Sequence, residues 1–122
     1  MRLWIAAALA VTCAVAAPAA RAQFVSLLKG GPAEYFDDAD MRMFLDVARK
    51  ALDDAPDNET LAWQNPKSGH HGDITVLKRF ESKGHACKEL RVRNEAQGRK
   101  SDLRHNLCNI DGKWRLVAKS KL

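Results

Sequence analysis

The sequence has 122 residues, 20 Lys and Arg against 15 Asp and Glu, a formal net charge of +5 and 46% hydrophobic residues. That length holds one modest domain. Its mild basicity comes without a block of five like charges and without interleaved aromatic and basic residues, which excludes a nucleic-acid platform.

The first 22 residues read as an export signal. A basic start at Met1-Arg2 precedes an apolar run from Leu3 to about Ala17, and Ala20-Arg21-Ala22 offers a small-residue cleavage site. The run is shorter than the ~20 residues of a membrane-spanning helix, and no later stretch is apolar for as long. Cys13 follows Thr12 inside an apolar stretch that continues past it, a poor fit to a lipoprotein signal. Cleavage after Ala22 is expected to leave 100 residues with 18 basic and 15 acidic side chains and two cysteines.

Residues 23–36 are broken by Gly30-Gly31-Pro32 and read as a linker or short turn. The domain is expected over 37–120. Asp37 or Asp38 caps a helix in which Met41, Phe44, Leu45, Ala48 and Leu52 form one apolar stripe, and Pro56 stops it. Asp37, Asp38 and Asp40 read as acids of the helix start, and Asp53, Asp54 and Asp57 as a solvated helix exit.

From residue 58 the apolar period changes to two. Leu61 and Trp63, then Ile74, Val76 and Phe80, then Leu90 and Val92, then Leu103 and Leu107, and finally Trp114 and Leu116 each share a parity. All of these but Phe80 are expected in the core. Short loops between the runs predict antiparallel pairing. The fold class is therefore α+β: one amphipathic helix packed on a four- to five-stranded antiparallel meander sheet.

The two remaining cysteines are placed by register. A two-residue loop at Gln97-Gly98 makes paired positions sum to 195, which sets Cys87 opposite Cys108. Leu90 then faces His105, Val92 faces Leu103 and Lys88 faces Leu107, with the cysteines on the other face. Opposed Cβ atoms lie about 4.5–5.5 Å apart, within reach of one cross-strand disulfide after slight adjustment. The bridge closes a loop worth roughly 3 kcal/mol.

A metal or redox reading competes with it, since His85 and Cys87 share a strand face with Cys108. No C-x-x-C or H-x-x-x-H spacing supports it, and an oxidising compartment favours the bridge. His70-His71, flanked by glycines, reads as a solvated loop pair, and His105 as an inward histidine. No G-x-S-x-G, H-E-x-x-H or G-x-x-x-x-G-K motif occurs.

Three stretches carry a family resemblance. The pattern W-x-N-P-x-[ST]-G-x-x-G is met by Trp63, Asn65, Pro66, Ser68, Gly69 and Gly72. C-[RK]-E is met by Cys87, Lys88 and Glu89, and C-x-x-x-D-G-x-W by Cys108, Asp111, Gly112 and Trp114. Over about residues 40–118 the chain resembles the C-terminal domain of the rickettsial-type seventeen-kilodalton surface antigen family. The resemblance implies a cell-envelope location rather than a chemistry. Many members carry a glycine-zipper segment and look like lipoproteins. Neither feature is evident here, so a soluble form in the periplasm, or one associated with the outer membrane, is expected.

The sequence reading is thus an exported, non-catalytic binding or structural module with no cofactor and no metal. Its candidate contact residues are Arg91, Arg93 and Arg104 on the cysteine side of the sheet, plus His70 and His71. The expected partners are an envelope protein, anionic lipid or glycan. Two alternatives stand beside it: a small metal-dependent or redox enzyme using His85, Cys87, His105 and Cys108, and an inhibitor of envelope hydrolases.

Overall fold

A computed structural model describes Phe24, residues 26–28 and residues 30–122. The expected signal peptide, its cleavage after Ala22 and Cys13 lie outside the described residues.

Helix α1 (Asp38–Asp53) begins with a capping box. The Asp37 side chain accepts from the Asp40 N–H at 2.8 Å, and the Asp40 carboxylate accepts from the Asp37 N–H at 2.9 Å. Phe44, Val47, Ala48, Ala51 and Leu52 are buried along it, together with Asp40. Met41 and Leu45, expected in the stripe, are only half-buried at its flank. Asp40 accounts for the rotation: its polar partners lie on the sheet side, and the residues that share its face at helical spacing turn inward with it.

Five strands follow: β1 (Thr60–Gln64), β2 (His71–Ser82), β3 (His85–Ala96), β4 (Arg99–Ile110) and β5 (Lys113–Val117). They pair in sequence order, each antiparallel to the next. The three long hairpins turn on Lys83-Gly84, Gln97-Gly98 and Asp111-Gly112. Both residues of each pair have positive φ, which is what a two-residue type I′ turn requires.

Helix α1 packs on β1 and β2, while the 3-10 turn Gly31–Tyr35 packs on β3 and β4. The segment read as a linker or turn therefore adds side chains to the core. Leu27, Leu28 and Pro32 are buried, and the Phe36 ring meets Trp63 edge-on at 5.2 Å. Between these layers lie Ile74, Val76, Leu90, Val92 and Leu107, all at or below 1% exposure. Each such aliphatic side chain contributes about 1.5–3 kcal/mol by leaving water.

Three strand expectations need correction, the first being Leu103, which is half-buried and outside the core. A bulge between Val76 and Lys78 shifts the β2–β3 register by one residue, which sends Phe80 to the face opposite Ile74 and Val76, across from Cys87. At the other edge Leu116 is 41% exposed, although it pairs with buried Leu107. The covering elements sit over β1 to β4, so the helix side of β5 stays partly open. Trp114 is half-buried there and donates its indole N–H to Asp53 at 3.2 Å.

Candidate functional site

The first polar cluster ties the helix start to the loop between β1 and β2. Asp40 is fully buried. Its Oδ1 accepts from Asn65 Nδ2 at 2.8 Å and Ser68 Oγ at 2.7 Å, and its Oδ2 lies 2.7 Å from His70 Nδ1. Gln97 Nε2 is 3.0 Å from His70 Nε2. This geometry fits the tautomer in which Nδ1–H donates to Asp40 and Nε2 accepts from the Gln97 amide. Burial pushes the Asp40 pKa up, but hydrogen bonds from the Asp37 N–H, His70, Ser68 and Asn65 outweigh it and hold the group at about 2, against 3.8 ordinarily.

His70 is therefore not the solvated loop residue expected. It is 6% exposed, with its ring stacked 6.4 Å from Phe36. Asp40 is likewise more than an acid of the helix start. Sequence reasoning missed this cluster because nothing local couples residue 40 to residues 65–70. The available signal was the resemblance motif, which already contained Asn65 and Ser68.

A second buried polar group closes the other end of the helix. Lys88 lies on the helix side of the sheet at 7% exposure, and its Nζ donates to the carbonyls of Ala51 and Ala55 at 3.0 and 3.2 Å. Burial pushes its pKa down. The charge sits where the helix dipole is negative and where the last carbonyls lack intrahelical donors.

The face of the sheet turned away from α1 carries the disulfide and a ladder of charges. Cys87 and Cys108 are bonded at 2.06 Å with Cα atoms 4.0 Å apart, in the register expected. Both are nearly fully buried. Arg93 grips Asp73 through two nitrogens, each at 2.9 Å. Arg91 holds both oxygens of Asp102 and keeps that carboxyl below its usual range. His71 stands 3.3 Å from Glu95. Two of the three arginines expected as contacts are thus already paired with acids, whereas Arg104 makes no ion pair among the described residues.

Around Asp73 and Arg93 the face forms an open concavity of about 670 Å³, bounded by Gln64, His71, Glu95, Lys100 and Asp102. Its floor is shaped by Gly72. A Cβ there would meet Asn94 Oδ1, lie 2.5 Å from the Arg93 carbonyl and 2.7 Å from Trp63 Nε1. The glycine leaves space for the Trp63 N–H to donate to Asn94 Oδ1 at 3.2 Å.

The four residues of the enzyme alternative do not converge. Each cysteine sulfur is bonded to the other, leaving no thiolate for metal ligation or exchange. His105 pairs with Leu90 on the helix side of the sheet, opposite the face of Cys108. Among the described residues no group of three His, Cys, Asp or Glu is placed to hold a metal ion.

A family model described as "17 kDa outer membrane surface antigen" matches residues 50–115. The chain belongs to this family. Among curated proteins it is similar to the 17 kDa surface antigen of Rickettsia prowazekii (strain Madrid E), 31% identical over 83 residues covering 66% of this chain and 52% of that protein. It is 30% identical to the Rickettsia conorii antigen and 26% to that of Rickettsia bellii, over the same shares. The chain spans about half the length of these relatives. No solved structure matches it.

The surface-antigen motifs have direct physical roles in this chain. Asn65 and Ser68 hold Asp40, Gly72 admits the Trp63–Asn94 bond, and Lys88 closes the helix end. Asp111-Gly112 turns the last hairpin. Every one of these residues serves the scaffold. No helix among the described residues is long and apolar enough to cross a membrane.

Proposed function

We propose that this chain is an exported cell-envelope protein that acts by binding rather than by catalysis, with the uncovered face of its sheet as the contact surface. The observation that carries the reading is the concavity on that face, bordered by His71, Asp73, Arg93, Glu95, Lys100 and Asp102. Its charges of both signs suit a polar partner, and the paired Asp73–Arg93 group is held ready without side-chain reordering. Membership of a surface-antigen family and the export signal over residues 1–22 support the location. Of the contact residues expected from the sequence, Arg93 and His71 border it, while His70 is buried against Asp40 and does not line it.

Affinity purification from envelope extracts tests the reading. The parent protein is expected to retain a partner that an Asp73→Ala/Arg93→Ala variant loses, and retention should weaken as salt rises. A variant that captures the same partner at the same yield removes this face from the contact. N-terminal sequencing of the exported protein tests cleavage after Ala22.

A further inference from the structure

Charge is unevenly divided between the two sides of this molecule. Residues 34–59, which build the helix layer, carry nine acidic side chains against three basic ones. Residues 99–122, which build β4, β5 and the 3-10 turn Lys119–Lys121, carry seven basic against two acidic. Acids thus gather on the helix side and cations at the β4–β5 rim.

Arg104, Lys113 and Arg115 of that rim share a face. Arg104 alternates with Asn106 and Cys108 on the side of β4 turned away from α1. Arg115 stands opposite Cys108, Val117 opposite Asn106, and Lys113 opposite Ile110. Lys119 continues the line past Val117 and walls a groove of about 410 Å³ with Arg104, Glu89 and Leu116. Arg104, Lys113, Arg115, Lys119 and Lys121 are all exposed. None makes an ion pair among the described residues, unlike Arg79, Arg91 and Arg93 on β2 and β3. Val117 lies among them on the same face, whereas Leu116, 41% exposed, turns to the helix side opposite Leu107.

Exposed cations without acidic partners, gathered on one face, suit an anionic membrane surface, where headgroup phosphates attract the charges. We propose that the β4–β5 rim, centred on Arg104, Arg115 and Lys119, docks the domain onto an anionic phospholipid surface. The acidic helix layer faces away, so repulsion from the same headgroups fixes the orientation. The inference rests on the envelope location proposed above but not on the concavity, which is lined by other residues, around Asp73, Arg93 and Lys100.

Co-sedimentation with vesicles tests it. The disulfide-bonded protein is incubated with vesicles of phosphatidylglycerol and phosphatidylcholine in equal parts, or of phosphatidylcholine alone. The parent is expected to bind only the anionic vesicles. Arg104→Ala/Arg115→Ala/Lys119→Ala should lower that partitioning on the order of a hundredfold. The charge-keeping variant Arg104→Lys/Arg115→Lys/Lys119→Arg should bind like the parent, which separates charge from fold. A helix-side control of equal charge loss, Arg42→Ala/Arg49→Ala/Lys50→Ala, should also bind like the parent. Absence of parent binding to the anionic vesicles overturns the proposal. So does an equal loss in both alanine variants, which would mean that net charge alone acts. Either failure leaves the partner-capture reading standing, because that reading is measured on Asp73 and Arg93.

Discussion

His70 Nδ1 and Asp40 Oδ2 lie 2.7 Å apart across 30 residues of chain, and this contact locks the loop after β1 to the first turn of α1. With Asn65, Ser68 and the Asp37 N–H also donating, the carboxylate is saturated by hydrogen bonds in a site closed to water. Asp40→Ala removes the shared acceptor and strands three buried donors, which is expected to cost about 3 kcal/mol. Urea denaturation of the variant measures it, and a cost below about 1 kcal/mol would show that the cluster relaxes.

The same group predicts an acid limb. Asp40 binds its proton more weakly in the folded chain, at about 2, than in the unfolded one, at 3.8. Its stabilisation is therefore fully present above the unfolded value and is lost as pH falls through the folded one. Thermal melts between pH 5 and pH 2 should show stability falling across this window. Asp40→Asn, less stable at neutral pH, should show a shallower fall.

Gly72→Ala is expected to destabilise the domain by about 3 kcal/mol, since the added methyl meets the Arg93 carbonyl and the bonded Trp63–Asn94 pair. The position has no positive φ, so the effect is one of close approach and not of backbone strain. Tryptophan fluorescence should report the displaced Trp63 ring.

Lys88→Met keeps the length and apolar stem of the side chain but leaves the Ala51 and Ala55 carbonyls without their donor. A loss of about 1–2 kcal/mol is expected. Amide exchange should show the last turn of α1 opening first.

Replacing both cysteines with serine, or reducing the bridge, is expected to cost about 3 kcal/mol through the loop that Cys87 and Cys108 close across 21 residues of separation. A shift in denaturant midpoint without a change of slope would locate the effect in stability alone.

Wherever one local rule decides the outcome, the fold was legible. The Gln97-Gly98 turn set the register, and the register alone aligned Cys87 with Cys108. Alternation correctly assigned Trp63, Ile74, Val76, Leu90, Val92 and Leu107 to the core. It failed at Phe80, where one unpaired residue reverses parity, and at Leu116, where pairing with a core residue does not guarantee cover. The Asp40 cluster was illegible because burial of an acid depends on partners distant in sequence. Arg91 and Arg93 were legible as face residues but not as partners of Asp102 and Asp73, since an exposed cation and a paired one look alike in a strand pattern.

The irregularity in β2 also bears on what surrounds the covalent staple. By reversing the strand's sidedness it stations an aromatic ring across from Cys87, on a surface otherwise given to water and charge. With Cys87 and Cys108 only 2% and 3% exposed, small thiols in the surrounding medium are expected to reach sulfur only when the strand opens. Phe80→Ala removes that ring without touching the register and should leave the bridge more open to reductants, so that oxidative lifetime, rather than folding, is the property this ring protects.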